Sequence, residues 1–106
     1  MDPKLIEQVL LNLIRNSIQA LDGIRTGKSI SVLADQDVTG VQISVKDNGC
    51  GIDTDNMDNI FIPFYTTRTK GSGIGLSFAK QIMRLHNGMI SVKSDPGKGA
   101  EFILRF

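Results

Sequence analysis

Asp47 is the residue whose placement most plainly calls for chemistry. In Val41-Gln42-Ile43-Ser44-Val45-Lys46-Asp47, apolar and polar residues alternate at period two. The run reads as a strand, and Asp47 falls on the same face as Val41, Ile43 and Val45. A carboxylate aimed at a core without a partner costs on the order of several kcal/mol, so Asp47 needs a donor. Gly49, Gly51 and Ile52 come next. Glycines permit positive φ and leave room for a flat group against the backbone. An acceptor, a bend without side chains and an apolar residue suit a purine. The exocyclic amino group of adenine would donate to Asp47, whereas guanine presents a carbonyl there. A strand ending in an Asx turn explains the same Asp-Asn-Gly run, and on this segment alone both readings stand.

Three further stretches carry polar groups at telling positions. On a helical wheel Gln8, Asn12, Arg15, Asn16 and Gln19 share one narrow stripe. Asn12 and Asn16 are four apart, so their amides sit one above the other. Asn gains nothing mid-helix, and Lys or Glu would serve a merely wet face better, which favours a site. Thr66, Thr67 and Arg68 end an aromatic, proline-punctuated run and offer hydroxyls and a fixed cation to a polyphosphate. Gly71-Ser72-Gly73-Ile74-Gly75-Leu76 opens onto a helix, whose N-terminal N–H groups and dipole favour an anion. That run is neither a Walker loop nor a Rossmann turn, since no Gly-Lys-Ser/Thr follows it and no strand leads directly into it.

The elements that must position these residues can be read from periodicity and punctuation. Asp2 and Pro3 read as the N-cap and first residue of a helix running to about Leu21 and stopping at Asp22-Gly23. Its apolar residues Ile6, Val9, Leu10, Leu13, Ile14, Ile18 and Leu21 are expected to pack on a sheet. Ser29 to Ala34 should form a strand with Ile30, Val32 and Ala34 inward, turning at 35–40 into the Asp47 strand. Residues 53–60 can form one or two helical turns. Phe61 and Phe64 are expected to pin the aromatic loop. The second helix should run through His86 to Asn87-Gly88, with Ile74, Phe78, Ile82 and Leu85 on its apolar face and His86 at its end as a structural cap. Strands at 89–93 and 100–106 should flank a turn at 94–99, with Phe102, Leu104 and Phe106 on one face. Met83 and Met89 read as core residues. The fold class is α/β: a two-layer sandwich of a mixed, mostly antiparallel sheet with helices packed on one face.

Composition narrows the function. The chain has 106 residues and a net charge of +1, enough for one domain over 1–106 and no electrostatic case for nucleic acid or an anionic membrane. With one cysteine, Cys50, and one histidine, an intrachain disulfide is impossible and a Cys/His zinc site is not expected. Cys50 reads as a small filler between glycines. No apolar run reaches transmembrane length. The abrupt opening on a helix edge is expected of a piece excised from something longer.

The order of these pieces resembles the catalytic, ATP-binding domain of bacterial two-component sensor histidine kinases, within the GHKL superfamily. Asn12-Leu13-Ile14-Arg15-Asn16 resembles its N box, and Asp47-Asn48-Gly49-Cys50-Gly51 its first glycine box. Phe61-Ile62-Pro63-Phe64-Tyr65-Thr66-Thr67-Arg68 resembles its F box, and Gly71-Ser72-Gly73-Ile74-Gly75-Leu76 its second glycine box. Gly97-Lys98-Gly99-Ala100-Glu101-Phe102 resembles its terminal glycine turn. The likeness covers nearly the whole chain and implies a Bergerat-type fold.

It also implies roles. Asp47 would accept from adenine, with Gly49, Gly51 and Ile52 around the purine. Asn16 would give an amide oxygen to Mg²⁺, and Asn12 would lie beside the phosphates of ATP. Tyr65, Thr66, Thr67 and Arg68 would flank the nucleotide. Gly71, Ser72, Gly73, Ile74, Gly75 and Leu76 would close on it as a short lid. Many such kinases carry Lys or Arg three residues after the magnesium asparagine. Here that position is Gln19, leaving Arg68 or Lys70 to supply the charge. Asn12, Asn16 and Arg68 are the candidate catalytic residues. The implied partners are the dimerisation and phosphoacceptor domain of the same kinase, whose histidine is absent here, and a response regulator downstream. The domain is expected to be monomeric and cytoplasmic, with no membrane contact of its own even where the full-length protein is anchored. Two other readings are an ATP-hydrolysing member of the superfamily and a non-catalytic nucleotide-sensing module; an anti-sigma-factor serine kinase is a third. The hydrolysing members place a glutamate where this chain has Asn12, which has no useful basicity.

Overall fold

A computed structural model describes residues 3–21, 27–52, 60–61, 75–95 and 97–106. Among these residues two helices and four strands come in the order α1 (Pro3–Ala20), β1 (Ile30–Asp37), β2 (Gly40–Asp47), α2 (Gly75–Leu85), β3 (Met89–Asp95) and β4 (Gly99–Arg105). The strands lie side by side as β1-β2-β4-β3, and all three pairings are antiparallel. β4 therefore slots between β2 and β3, which run in the same direction on either side of it. The chain leaves β2, returns through α2 to β3, and closes the gap last.

Register decides which residues face the helices. Ile30, Asp47, Ala100 and Ser94 form one row across the sheet, and Val32, Val45, Phe102 and Val92 the next. Beyond them lie Ala34, Ile43, Leu104 and Ile90. The core joins Val45, Phe102 and Leu104 to Ile6, Val9 and Leu13 of α1, to Ala79, Ile82 and Met83 of α2, and to Ile60. Phe61 packs against its margin, and the Lys80 ammonium lies 5.4 Å from the centre of its ring, within cation–π reach. Phe61 is thus an anchor, as expected. On the opposite face Ser44 and Ile103 are still buried, because they sit on the two central strands with Leu33 and Ser91 beside them in register.

The helix ends obey local chemistry. Pro3 opens α1, where its missing N–H costs nothing. At the end of α2, Asn87 has φ 57°. Its N–H donates to the Arg84 carbonyl, and the Gly88 N–H donates to that of Met83 at 2.8 Å. This is a Schellman termination with Asn in the left-handed position. His86 Nδ1 lies 2.8 Å from the Ile82 carbonyl, the capping place expected of it.

Several expectations about facing are overturned. Ile18 is 57% exposed, because the buried stripe of α1 runs through Ile6, Val9, Leu13, Ser17 and Ala20 and leaves Ile18 on the outer flank. Val32 points to the helix side, yet β1 is an edge strand and much of Val32 stays open. Leu85 is exposed, and the core face of α2 is Ala79, Ile82 and Met83. Met89 is 69% exposed, since it pairs with Arg105 on the sheet face away from the helices. β3 also runs to Asp95, so Ser94 belongs to a strand and not to the turn. Among the described residues no helix is long and apolar enough to cross a membrane. The helical turns expected at 53–59, the stop at Asp22-Gly23 and the aromatic stretch from 62 lie outside the described residues.

Candidate functional site

Asp47 ends β2 on the inward face and is 3% exposed, as the alternation requires. Its Oδ1 accepts the Gly49 N–H at 2.9 Å. Among the described residues this is the donor it has. The Asx turn is therefore real, and it satisfies only part of a carboxylate that can accept several bonds. The turn and purine readings are not exclusive: among the described residues, the Gly49 bond uses one oxygen of a carboxylate that can accept several.

The loop after Asp47 is held from two sides. Gly49 lies so close to α1 that a Cβ there would come 2.3 Å from the Ala20 carbonyl oxygen. The Cys50 N–H donates to that same carbonyl at 3.0 Å. Gly51 takes φ 73°, a left-handed conformation open to glycine at little cost. The Cys50 carbonyl accepts from the Gly97 N–H at 2.7 Å. The Ile52 N–H donates to Ser94 Oγ at 2.7 Å, and Ser94 Oγ donates to the Gly99 carbonyl at 2.9 Å. At Gly99 a Cβ would stand 2.1 Å from the Asp47 carbonyl oxygen. Helix α1 thus supports one side of the loop and the β3–β4 hairpin the other.

Asn48 turns outward. Its Oδ1 accepts the Ser29 N–H at 2.9 Å, its amide donates to the Gly27 carbonyl, and its own N–H donates to the Ser29 carbonyl. It fastens the approach to β1. Cys50, the small residue between the glycines, is exposed, with its Sγ 3.4 Å from the Gly51 carbonyl.

On α1, Asn12 and Asn16 are half-buried and Gln19 is exposed. Gln8 Nε2 donates to Asn12 Oδ1 at 3.4 Å. The next residue after Asn16, Ser17, is fully buried, and its Oγ has no hydrogen-bond partner among the described residues. Gly75 starts α2, and Leu76 packs against the core. Leu76 can therefore offer an anion its backbone rather than its side chain. Tyr65, Thr66, Thr67, Arg68, Lys70, Gly71, Ser72, Gly73 and Ile74 lie outside the described residues.

Among the described residues no group of three or more His, Cys, Asp or Glu side chains could hold a metal. Asn16 offers an amide oxygen, and Mg²⁺ commonly completes its shell with water and phosphate oxygens.

Sequence reasoning missed Ser94 and Ser17. For Ser94 a signal existed: it continues the period-two series Ile90, Val92, Ser94, which places it inward beside Ala100 and Asp47. The turn signature of Asp95-Pro96-Gly97 concealed it.

Comparison with known proteins agrees with this geometry. The family described as histidine kinase-, DNA gyrase B- and HSP90-like ATPase matches residues 1–106. The sensor histidine kinase ZraS of Escherichia coli K12 is 46% identical over 105 residues, covering 97% of this chain and 22% of that protein. The signal transduction histidine-protein kinase AtoS of the same strain is 42% identical over 103 residues, 97% of this chain and 17% of AtoS. The chain thus spans about a fifth of the curated relatives it matches. Among solved structures, the mycobacterial sensor histidine kinase MprB superposes with a TM-score of 0.85 at 25% identity, over 98% of this chain and 70% of that one. The catalytic domain of histidine kinase ThkA does so at 0.82 and 34% identity, over 97% and 66%. The chain belongs to the histidine kinase-, DNA gyrase B- and HSP90-like ATPase family, and within it resembles the catalytic domains of sensor histidine kinases.

Proposed function

We propose that this domain binds Mg·ATP and presents the γ-phosphoryl group to a histidine on a separate dimerisation domain, from which a response regulator would take it. The observation that carries the reading is Asp47: a buried carboxylate, part-satisfied by Gly49, at the mouth of a glycine bend whose every turn is braced. A fixed acceptor beside a side-chain-free bend selects a planar base with a donating edge. Adenine has one there and guanine does not.

Each remaining residue has a defined task. Gly51 and Ile52 would wall the purine. Asn16 would hold Mg²⁺ through its amide oxygen, and the ion would neutralise phosphate charge. Asn12, Arg68 and Lys70, with the backbone of 71–76 at the head of α2, would orient the phosphates. Phosphoryl transfer asks little covalent chemistry of the protein and much positioning. The nucleophile is the partner's imidazole, already nucleophilic when neutral. This chain's only histidine is occupied at the end of α2. Asn12 cannot activate water, which separates this reading from the ATPase one.

Titration calorimetry tests the base pocket. ATP should bind well ahead of GTP. Asp47→Asn should weaken ATP by about 1.5–3 kcal/mol, the scale of a hydrogen bond to a charged group, with the fold intact. Unchanged ATP affinity in the folded Asp47→Asn variant would remove Asp47 from the site.

A further inference from the structure

The loop that walls the proposed purine site is fixed by a residue on a different part of the sheet. Ser94 lies in the same row as Asp47, with Ala100 between them, and it is half-buried on the helix side. Its hydroxyl is used in both directions: it accepts the Ile52 N–H at 2.7 Å and donates to the Gly99 carbonyl at 2.9 Å. A hydroxyl has one proton to give, so the bond to Gly99 orients its lone pairs towards Ile52. Two residues earlier the Cys50 carbonyl takes the Gly97 N–H. Residues 50 and 52 are therefore both tied to the β3–β4 hairpin, one through backbone and one through the Ser94 side chain. The crossing from Asp47 to that hairpin passes the start of β4, where Gly99 has no room for a side chain.

We propose that Ser94 is a positioning residue for nucleotide binding. Its hydroxyl holds Gly51 and Ile52 at a fixed distance from Asp47 and so sets affinity for the base rather than for the phosphates. The inference rests on the reading that the purine lies against Gly51 and Ile52. Without the hydroxyl, the Ile52 N–H is left part-buried and unpaired and the wall loses its anchor. Binding must then order a segment that was ordered beforehand, which lowers affinity without touching any group that contacts ATP.

Calorimetry and amide exchange on this chain test it. Ser94→Ala should raise the dissociation constants for ATP and for adenosine together, by about five- to tenfold, as expected for one hydrogen bond. Ser94→Thr, which keeps the hydroxyl, should restore both to within about twofold. A merely structural serine would lower thermal stability and leave both constants unchanged in the folded protein, and that result overturns the proposal. Should Ser94→Ala not fold, the wild type decides. Its Ile52 amide should exchange slowly without nucleotide, and fast exchange there overturns the proposal equally. A wild-type domain that binds neither ATP nor adenosine rejects the nucleotide reading itself, whereas Ser94→Ala at wild-type affinity rejects only the role of Ser94.

Discussion

The two ends of β2 are built on opposite terms. At the Asp47 end, the chain is tied to residues far away in sequence: Ala20 of α1, Ser94 of β3 and Gly97 of the last turn. Two glycines there have neighbours where a side chain would go. At the other end, the hairpin between β1 and β2 is held mainly by itself. Asp37 Oδ1 accepts from the Thr39 N–H at 2.8 Å and from its hydroxyl. Val38 at the tip is fully exposed. Gly40 makes a close approach there, to the Phe106 carbonyl. At the Asp47 end the long-range bonds tie a loop to α1 and to the last hairpin, whereas at the other end the Phe106 N–H to Val41 carbonyl bond and the close approach of Gly40 only continue the alignment of β2 with β4. The reversal itself, at the tip, is held by the short-range bonds of Asp37 and Thr39.

That contrast can be broken by substitution. The largest effect is expected at Gly49. Gly49→Ala would set a methyl against the backbone of Ala20, a neighbour that cannot rotate away. Overpacking of this kind costs about 1–3 kcal/mol, and in a domain of this size roughly 4–8 °C of melting temperature for each kcal/mol. ATP binding should fall with it, read by calorimetry on the fraction that remains folded. Val38→Ser at the opposite end should stay within about 0.5 kcal/mol of the wild type. If the two variants lose equal stability, the two ends do not differ as described.

A smaller effect is expected at Ser17. Its hydroxyl is buried and has no hydrogen-bond partner among the described residues, an arrangement that costs free energy. Ser17→Ala removes that group with little change in volume and should leave stability unchanged or raise it by up to about 1 kcal/mol in denaturant unfolding. A clear loss of stability would mean that the hydroxyl has a partner in solution.

The smallest concerns Asp37. The Thr39 hydroxyl first, and then the Thr39 backbone N–H, hold its carboxyl below the ordinary carboxylate range. Its folded value lies below its unfolded one. Its contribution to stability is therefore present above the unfolded value and lost as pH falls through the folded value. Thr39→Val should raise the Asp37 titration point towards the ordinary value, as followed by carboxyl carbon resonances. The side chain is fully exposed, so nucleotide binding should not respond.

The same contrast explains what could be read from the chain. Asp47 facing inward was legible because period two is a property of one strand. The Asn87-Gly88 stop was legible because it depends on four or five consecutive residues. The cover over each face was not legible. Met89 is apolar, but it is out of phase with Ile90 and Val92 and pairs with Arg105 on the sheet face that no described helix covers. Ile18 fits an apolar helix, but only the packing of α1 leaves it outside. Ser94 and Gly99 matter through Ile52 and Asp47, and no spacing along the sequence expresses a contact between residues 42 or more positions apart. Local pattern supplied the residue that would read the base, and tertiary contacts supplied the frame that holds it.

The proposed function requires that this domain deliver phosphate to another domain and not spend it on water. Incubation with ATP labelled at the γ-position, with and without a supplied histidine-bearing dimerisation domain, tests it directly. Alone, the chain should bind ATP, hydrolyse it close to background and carry no label. A positioned base commonly contributes about a hundred- to ten-thousand-fold, and Asn12 supplies none. With the acceptor present, acid-labile label should appear on the acceptor's histidine and not on this chain. Brisk steady-state hydrolysis by the chain alone, abolished by Asp47→Asn, would overturn the kinase reading and make the domain an ATPase.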